Sequence, residues 1–359
     1  MKKGAFYWMK NAVLLGSAAL CLWCGAGKLQ EWAQTQGEEA LLFAAGIQAQ
    51  ESPSPQATPT ASPDAQRVEE LAYLLPDDGV VSLGQGLEEG AAATPDPSRD
   101  WAPVEETQIS GGTQVGSFFV KDTTGSGTDL NAALQEEPSV HLKRDGSVEV
   151  LIYHTHTSEA YSQGYTGFYY TDMDTRTSDP QQSVVAAGEA LKDALEAAGF
   201  GVVHDTTVND TLYNGSYSRS WEVLQKNLEE YPSIQVTIDV HRDSMTTDSG
   251  VKYKPTVTIN GRKAAQVMLL AGCDADGSWG DFPRWEENLR LDLRVQEKLQ
   301  ELFPGLARPM SFSNSKYNMN ATPGSMLVEI GTEVNTVSEA RYAGQLVGEA
   351  LGEVLQSCT

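Results

Sequence analysis

From Leu142 onward the sequence alternates between strand-like and helix-like segments, and this alternation limits the possible folds more than any other feature. Residues 147–153 are rich in β-branched and aromatic side chains and predict a buried strand. Apolar residues recur at helical spacing over 179–199, and a strand-like run at 201–204 follows them. Repeated βαβ units predict an α/β fold, with a mostly parallel twisted sheet and helices on both of its faces.

The alternation continues to the C-terminus. Asn260-Gly261 lies between two strand-like runs and predicts a β-hairpin, because both residues tolerate the positive φ angles of a tight turn. Further helices are predicted at 216–231, 281–303 and 337–355, and further strands at 234–240, 252–259, 264–271 and 325–330.

Composition divides the chain into three segments. We predict a membrane anchor or signal at 1–28, an acidic and largely disordered Pro/Gly-rich stalk at 29–139, and a catalytic domain at 140–359. The net charge is −24, and no basic stripe occurs beyond the N-terminus. Because nucleic-acid binding depends on cationic groups that replace the counterions of phosphate, nucleic acid is excluded as the partner.

The N-terminal segment has the pattern of an export signal. Lys2, Lys3 and Lys10 precede an apolar run at 12–26. This run is shorter than the roughly 20 residues that span a bilayer, so a cleaved signal and an uncleaved anchor are both open. We favour the anchor, since Lys10 can snorkel and no small-residue cleavage box precedes a polar start. The lysine bias then predicts a single-pass protein of the cell membrane whose catalytic domain is extracytoplasmic.

Residues able to bind a metal follow three of the predicted strands. His154 and His156 come at the end of the first strand, with Glu159 just beyond; His241 follows a later strand, and Glu329 lies in the strand near the C-terminus. The carboxyl ends of parallel strands meet at one edge of a sheet, where ligands bind. The two histidines would share a face if the strand continued, and their spacing does not decide which of them binds metal.

Imidazole and carboxylate ligands without a nearby thiolate suit a catalytic zinc, which takes three protein ligands and keeps a fourth position open. Glu329 is placed to act as the general base. Arg242 or Asp243 could hold a ligand or polarise a carbonyl. The candidate metal ligands are His154, His156, Glu159 and His241.

Three blocks of this sequence resemble the stage II sporulation protein P (SpoIIP) family. They are LIYHTHTSEAY at 151–161, IDVHRDS at 238–244, and LVEIG at 327–331 followed by Asn335-Thr336. The resemblance covers roughly residues 140–359, and the blocks come after an N-terminal anchor and a low-complexity stalk. This order makes the match much more specific than an isolated pair of histidines.

The resemblance implies a cell-wall hydrolase of endospore-forming bacteria, with a fold like that of zinc-dependent N-acetylmuramoyl-L-alanine amidases. Such an enzyme cleaves peptidoglycan between muramic acid and the stem peptide, and endopeptidase activity on cross-links is also implied. It would act in engulfment with the lytic transglycosylase SpoIID and the membrane protein SpoIIM.

The related amidases also imply roles for individual residues. Their pattern carries over to His154 or His156, Glu159 and His241 as zinc ligands and to Glu329 as the base. In those amidases the glutamate that binds zinc lies further from the first histidine than Glu159 does. Asp179 or Glu189 occupies the corresponding part of this sequence. We prefer Glu159.

Two other classes of function remain open from the sequence. A zinc carboxypeptidase or a polysaccharide deacetylase would use similar ligands and would release a terminal residue or acetate. An inactive wall-binding or scaffolding module would recruit another hydrolase, but it has no use for the metal ligand His241 or the base Glu329.

Overall fold

The structure, a computed structural model, describes residues 94–359 together with the backbone of 80–82. Its elements in chain order are β1 (Val80–Ser82), β2 (Trp101–Ile109), β3 (Thr113–Val115), β4 (Phe118–Asp122), α1 (Leu130–Gln135), β5 (Val148–Tyr153), β6 (Phe168–Tyr170), α2 (Val184–Ala197), β7 (Gly201–His204), α3 (Ser216–Glu230), β8 (Val236–Asp243), β9 (Lys252–Ile259), β10 (Arg262–Ala265), β11 (Val267–Gly272), α4 (Trp285–Leu302), β12 (Met310–Ser313), β13 (Gly324–Thr332) and α5 (Val337–Gln356).

The larger sheet has eight strands in the order β3-β4-β12-β11-β13-β8-β5-β7. Strands β13, β8, β5 and β7 run parallel to one another, whereas β11 is antiparallel to β13 and β3 is antiparallel to β4. The predicted α/β fold is confirmed, but the sheet is mixed rather than mostly parallel. Strand β11 breaks the parallel order, because it is parallel to β12 on one side and antiparallel to β13 on the other.

A smaller sheet contains β1, β2, β9 and β10 in that order, with β6 paired to β2. The hairpin predicted at Asn260-Gly261 joins β9 and β10, and both residues have positive φ, 51° and 77°. The strand predicted at 264–271 is divided at Gln266, so that β10 lies in the smaller sheet and β11 in the larger one. The side chain of Gln266 is fully buried and hydrogen-bonds both the N–H and the carbonyl of Ile109.

Part of the predicted stalk is folded. Strand β4 pairs with β12 in the larger sheet, and β2 pairs with β9 in the smaller one. Residues 101–122, expected in the disordered stalk, are therefore integral to both sheets, because their backbone groups complete the hydrogen-bonded ladders. The predicted anchor at 1–28 and most of the stalk lie outside the described residues, and no helix in 94–359 has the length and apolar content to cross a bilayer.

Helices cover both faces of the larger sheet. Alternate residues of β5 separate two apolar clusters: Val150 and Ile152 belong to the main core with α2, whereas Leu151 and Tyr153 pack with Leu224 of α3. Since successive side chains of a strand point to opposite faces, α2 and α3 lie on opposite sides of the sheet. We call these sides the α2 face and the α3 face.

Candidate active site

The candidate site lies at the carboxyl ends of β5, β8 and β13. Glu329 of β13 is the register partner of His241 in the neighbouring parallel strand β8. Paired residues of adjacent strands present their side chains to the same face, so these two groups lie side by side. Asp239 and Asp243 belong to the same face of β8 as His241, since they are two residues away on either side.

His241 is surrounded by carboxylates. Its side chain is buried, with Nδ1 3.6 Å from Glu159 Oε2 and Nε2 3.0 Å from Asp239 Oδ1. The second approach is short but is not aligned as a hydrogen bond. Burial lowers the pKa of His241, but the charge of Asp239, followed by Glu159 and Glu329, outweighs burial and raises it to about 10. The same negative field would attract a metal cation.

His156 lies beside His241 with its ring nitrogens unused. The two imidazoles are nearly perpendicular, with ring centres 5.3 Å apart. Tyr213 stacks on His156 at 4.8 Å, and Tyr217 of α3 meets it edge-on at 5.8 Å. Within residues 94–359, neither Nδ1 nor Nε2 of His156 has a hydrogen-bond partner. Burial, then the charge of His241, holds its pKa well below 6.5, so the ring is neutral, the form that binds metals.

Glu159 completes this cluster, and Arg242 fixes its loop. Glu159 is buried, and its Oε2 accepts a hydrogen bond from the backbone N–H of Arg242 at 3.2 Å. Burial raises the pKa of Glu159, while the charge of Arg242 opposes that rise. The Arg242 guanidinium donates to the carbonyls of Ala160, Thr175 and Asp243. These contacts make Arg242 a positioning residue for the loop that carries Glu159.

Glu329 is the most protonatable carboxyl of the cluster. Burial raises its pKa to about 8; His241 opposes this shift, and the carboxylate of Asp243 adds to it. Within the described part of the chain, Glu329 Oε2 has no hydrogen-bond partner. Arg308 is buried nearby and donates from Nη1 to Asp243 Oδ2 at 2.9 Å. A carboxyl with this pKa can both accept and return a proton near neutral pH.

His154 belongs to a different hydrogen-bonded chain. Its Nδ1 lies 2.9 Å from the carbonyl of Val240, and its Nε2 lies 2.8 Å from Nε2 of His204. His204 Nδ1 in turn lies 2.8 Å from Glu189 Oε2. Both ring nitrogens of His154 are therefore occupied. Burial, then the neighbouring His204, lowers the pKa of His154 to about 3.

Of the three candidate carboxylates, Glu159, Asp179 and Glu189, it is Glu159 that lies beside His241. Glu189 is paired with His204, and Asp179 accepts hydrogen bonds from Gln181 N and Gln182 Nε2. The side-chain oxygens of Asp179 are thus used within its own turn. Among the predicted site residues, His156, Glu159, His241 and Glu329 lie together.

The chemistry of these residues fits a zinc ion. As they stand, no three histidine, cysteine, aspartate or glutamate side chains of residues 94–359 are grouped closely enough to hold a metal. However, the ring centres of His156 and His241 lie 5.3 Å apart, and Glu159 Oε2 lies 3.6 Å from Nδ1 of His241. Both histidines have a buried ring nitrogen without a hydrogen-bond partner among the described residues. Buried polar atoms rarely lack partners unless a ligand or ion satisfies them.

Four residues at the site were not singled out from the sequence. Asp239 had a usable signal, because it lies two residues before His241 on the same strand face. Tyr217 lies in the predicted helix at 216–231 but Tyr213 precedes it, so no helical spacing in the sequence links the two rings. Nothing in the sequence near Arg308 links it to Asp243, since 65 residues separate the two.

Comparison with known proteins assigns the family. The family model of stage II sporulation protein P (SpoIIP) matches residues 98–352. The chain belongs to the stage II sporulation protein P family. It is 28% identical over 233 residues to stage II sporulation protein P of Bacillus subtilis (strain 168), which covers 61% of this chain and 54% of that protein. The chain thus matches about half the length of this curated relative.

The chain is also similar to solved amidase structures, at a greater distance. The CwlD amidase from Clostridioides difficile, solved in complex with the GerS lipoprotein, is 12% identical with a TM-score of 0.36, covering 58% of this chain and 98% of that one. The N-acetylmuramoyl-L-alanine amidase AmiC2 of Nostoc punctiforme is 12% identical with a TM-score of 0.33, covering 60% and 97%.

Proposed function

We propose that this protein is a zinc-dependent peptidoglycan hydrolase that cleaves the N-acetylmuramoyl-L-alanine amide during sporulation. One observation supports this above all others: His156, whose ring nitrogens have no hydrogen-bond partner among the described residues, lies beside His241, which in turn lies beside Glu159 and in register with Glu329. Membership of the sporulation family supports the cellular setting. Hydrolysis of a cross-link peptide bond is a second reaction that the same groups could perform.

His156, His241 and Glu159 would hold the zinc ion. His156 is already neutral, and the proton on His241 is the one that a bound cation would displace. When bound, zinc supplies a Lewis acid that polarises the scissile carbonyl and acidifies a water molecule.

Glu329 is the proton carrier. In its ionised form it would take the proton of the attacking water and deliver it to the leaving amine of the stem peptide. Arg242 holds the loop that carries Glu159, and Arg308 holds the carboxylate of Asp243, whose charge acts on Glu329. The aromatic rings of Tyr213 and Tyr217 pack against His156 and His241 and hold the two imidazoles in place.

The setting of this reaction follows from the sequence. The proposed N-terminal anchor at 1–28 would hold the enzyme in the cell membrane, with the catalytic domain outside and peptidoglycan within reach. The partners implied by the family resemblance are the lytic transglycosylase SpoIID and the membrane protein SpoIIM, acting together in engulfment.

Zinc content and muropeptide release by the full-length chain test this function. The full chain is needed because β2, β3 and β4 lie before residue 140 and complete both sheets. Wild type should bind about one zinc, release stem peptides with a free amino terminus, and leave free lactyl carboxyl groups on muramic acid. His241→Ala should lose zinc, and Glu329→Gln should keep zinc and lose activity by on the order of 100- to 10,000-fold.

A matched control is His141→Ala, which removes an exposed histidine outside the cluster and should change neither quantity. If His241→Ala and Glu329→Gln both behave like wild type, the proposed site is wrong. Release of a terminal amino acid or acetate instead of stem peptides would replace amidase by carboxypeptidase or deacetylase activity.

A further inference from the structure

A cavity of about 540 Å³ opens beside the candidate active site. It lies between the loop that joins β5 to α2 and the loop that joins β7 to α3. We call it the loop cavity, and its lining includes Thr157, Ser158, Arg176, Thr206, Val208 and Asp210. Its volume is that of a pocket for a small ligand.

The loop cavity is lined by the turn that carries two of the proposed zinc ligands. Thr157 and Ser158 are the two residues between His156 and Glu159 in the chain. The backbone of Arg176 pairs antiparallel with Glu159, so the two residues are cross-strand neighbours. The lining of the loop cavity is therefore continuous, along the backbone and across this bridge, with the segment that carries His156 and Glu159.

Arg176 stands between the loop cavity and the histidines. Its Nη1 bonds Asp210 Oδ2 and lies 3.1 Å from Ser158 Oγ, and its guanidinium lies 5.1 Å from the centre of the Tyr213 ring that stacks on His156. The Asp210 carboxylate is wholly buried and also accepts from the N–H and hydroxyl of Ser158. Asp210 thus fixes Arg176, whose side chain is still 33% exposed.

The lining suits a short peptide with a carboxylate. Ser and Thr hydroxyls can both donate to and accept from peptide groups, and Val185, Val208 and Pro180 offer room for a methyl side chain. The exposed part of the Arg176 guanidinium can bind a carboxylate.

We propose that the loop cavity is the subsite for the peptide branch of the substrate, with Arg176 binding a carboxylate of that branch. This inference rests on the proposed function, because it assumes that the scissile amide joins a sugar to a peptide. Arg176 would then orient the peptide side of the amide toward His156 and Glu159, and the glycan strand would lie outside the loop cavity.

Calorimetric binding of a synthetic tripeptide, L-Ala-γ-D-Glu-L-Lys, to the full-length protein tests the proposal. We expect Arg176→Gln to weaken binding about tenfold, the loss of one charge-assisted hydrogen bond, and Arg176→Lys to restore part of it. The same peptide with amidated carboxylates should bind wild type and Arg176→Gln alike. Val208→Trp, which fills the loop cavity from its exposed rim, should abolish binding of both peptides.

The matched control is Arg341→Gln, an arginine that lines a separate cavity with Arg262, and it should leave binding unchanged. The proposal is overturned if Arg176→Gln, with a melting temperature like that of wild type, binds both peptides as wild type does. It is also overturned if Val208→Trp blocks a muramyl disaccharide but not the peptide. Peptide binding without muropeptide hydrolysis by wild type would instead remove the proposed function and leave the peptide site in place.

Discussion

His154 and His156 are two residues apart in sequence but lie in opposite surroundings. His154 is on the α2 face, where both ring nitrogens have partners, Val240 and His204. His156 is on the α3 face, beside His241 and Tyr213, and neither of its ring nitrogens has a hydrogen-bond partner within residues 94–359. Burial is the same, since both side chains are almost wholly inaccessible.

The cause of the difference is the turn after β5. The strand ends at Tyr153, and the N–H and hydroxyl of Thr155 are held by the two carboxylate oxygens of Asp239. The alternation of a strand, which would put His154 and His156 on one face, therefore stops before either of them. The comparison teaches that a buried polar group with partners serves the fold, whereas one without partners is a candidate for binding.

Alanine substitution of each histidine tests this comparison and has the largest expected effect. His156→Ala should weaken zinc binding by more than about 100-fold, beyond the loss seen for outer partners of metal ligands, and should lower the stability of the zinc-free protein only through lost packing against Tyr213 and Tyr217. His154→Ala should keep zinc but lower the free energy of unfolding by about 2 kcal/mol, because the Val240 carbonyl and Nε2 of His204 lose their contacts with the His154 ring. Zinc titration and urea unfolding measure the two effects.

The opposite pattern would exchange the two assignments. If His154→Ala lost zinc and His156→Ala did not, the ring of His154 would have to leave its partners, Val240 and His204, to bind metal. Equal loss of zinc in both variants would mean that the two faces are coupled at the turn.

The second prediction concerns the glycine beneath His154. Gly188 is in the middle of α2, where alanine is normally favoured by about 1 kcal/mol. A Cβ at this position would lie 2.8 Å from Cε1 of His154 and 2.9 Å from Nε2 of His204. Both imidazoles are held by hydrogen bonds and cannot yield easily, so Gly188→Ala should destabilise the protein by about 1–3 kcal/mol despite its helix propensity.

Thermal unfolding and zinc binding separate this effect from one on the site. Zinc affinity should stay at the wild-type level, since Gly188 lies on the α2 face, against His154 and His204. Gly164→Ala, where a Cβ meets nothing within 4 Å, is the matched control and should be nearly neutral. A stabilised Gly188→Ala would show that the His154 and His204 rings are free to move.

The fold could be predicted where strands and helices are long and periodic. Elements β5, α2, α3 and α5 were predicted within a few residues, because each has an apolar face of clear period. Strand β2 was missed because it contains Pro103 and two glutamates, and its pairing with β9 joins residues about 150 positions apart. Strand β12 has only four residues. Its position depends on neighbours that no local pattern specifies.

The candidate site could be predicted to the level of residue types at strand ends. The rule for parallel strands brought His241 and Glu329 together, since it depends only on direction and register. The choice between His154 and His156 depended on a turn whose geometry is set by Asp239, more than 80 residues away. The roles of these residues in catalysis stay predictions until zinc binding and hydrolysis are measured.

The same comparison can be made at Asp292, which lies away from the candidate site. Its substitution has the smallest expected effect. Asp292 lies in α4, is fully buried, and neither carboxylate oxygen has a hydrogen-bond partner among the described residues. Burial raises the pKa of Asp292 well above 3.8, so between 3.8 and that pKa the folded protein binds a proton that the unfolded chain does not. Its contribution to stability is therefore lost as pH rises through the pKa of the folded state.

Asp292→Asn removes this titration and should raise the free energy of unfolding by about 1 kcal/mol at pH 8, with a smaller gain at pH 5. Urea unfolding at the two pH values measures the difference. Asp193→Asn, at an exposed position of α2, is the control and should change stability little at either pH. If Asp292→Asn destabilised the protein equally at both pH values, the Asp292 carboxylate would have a hydrogen-bond partner in the folded protein. Asp292 would then stabilise the fold, as His154 does.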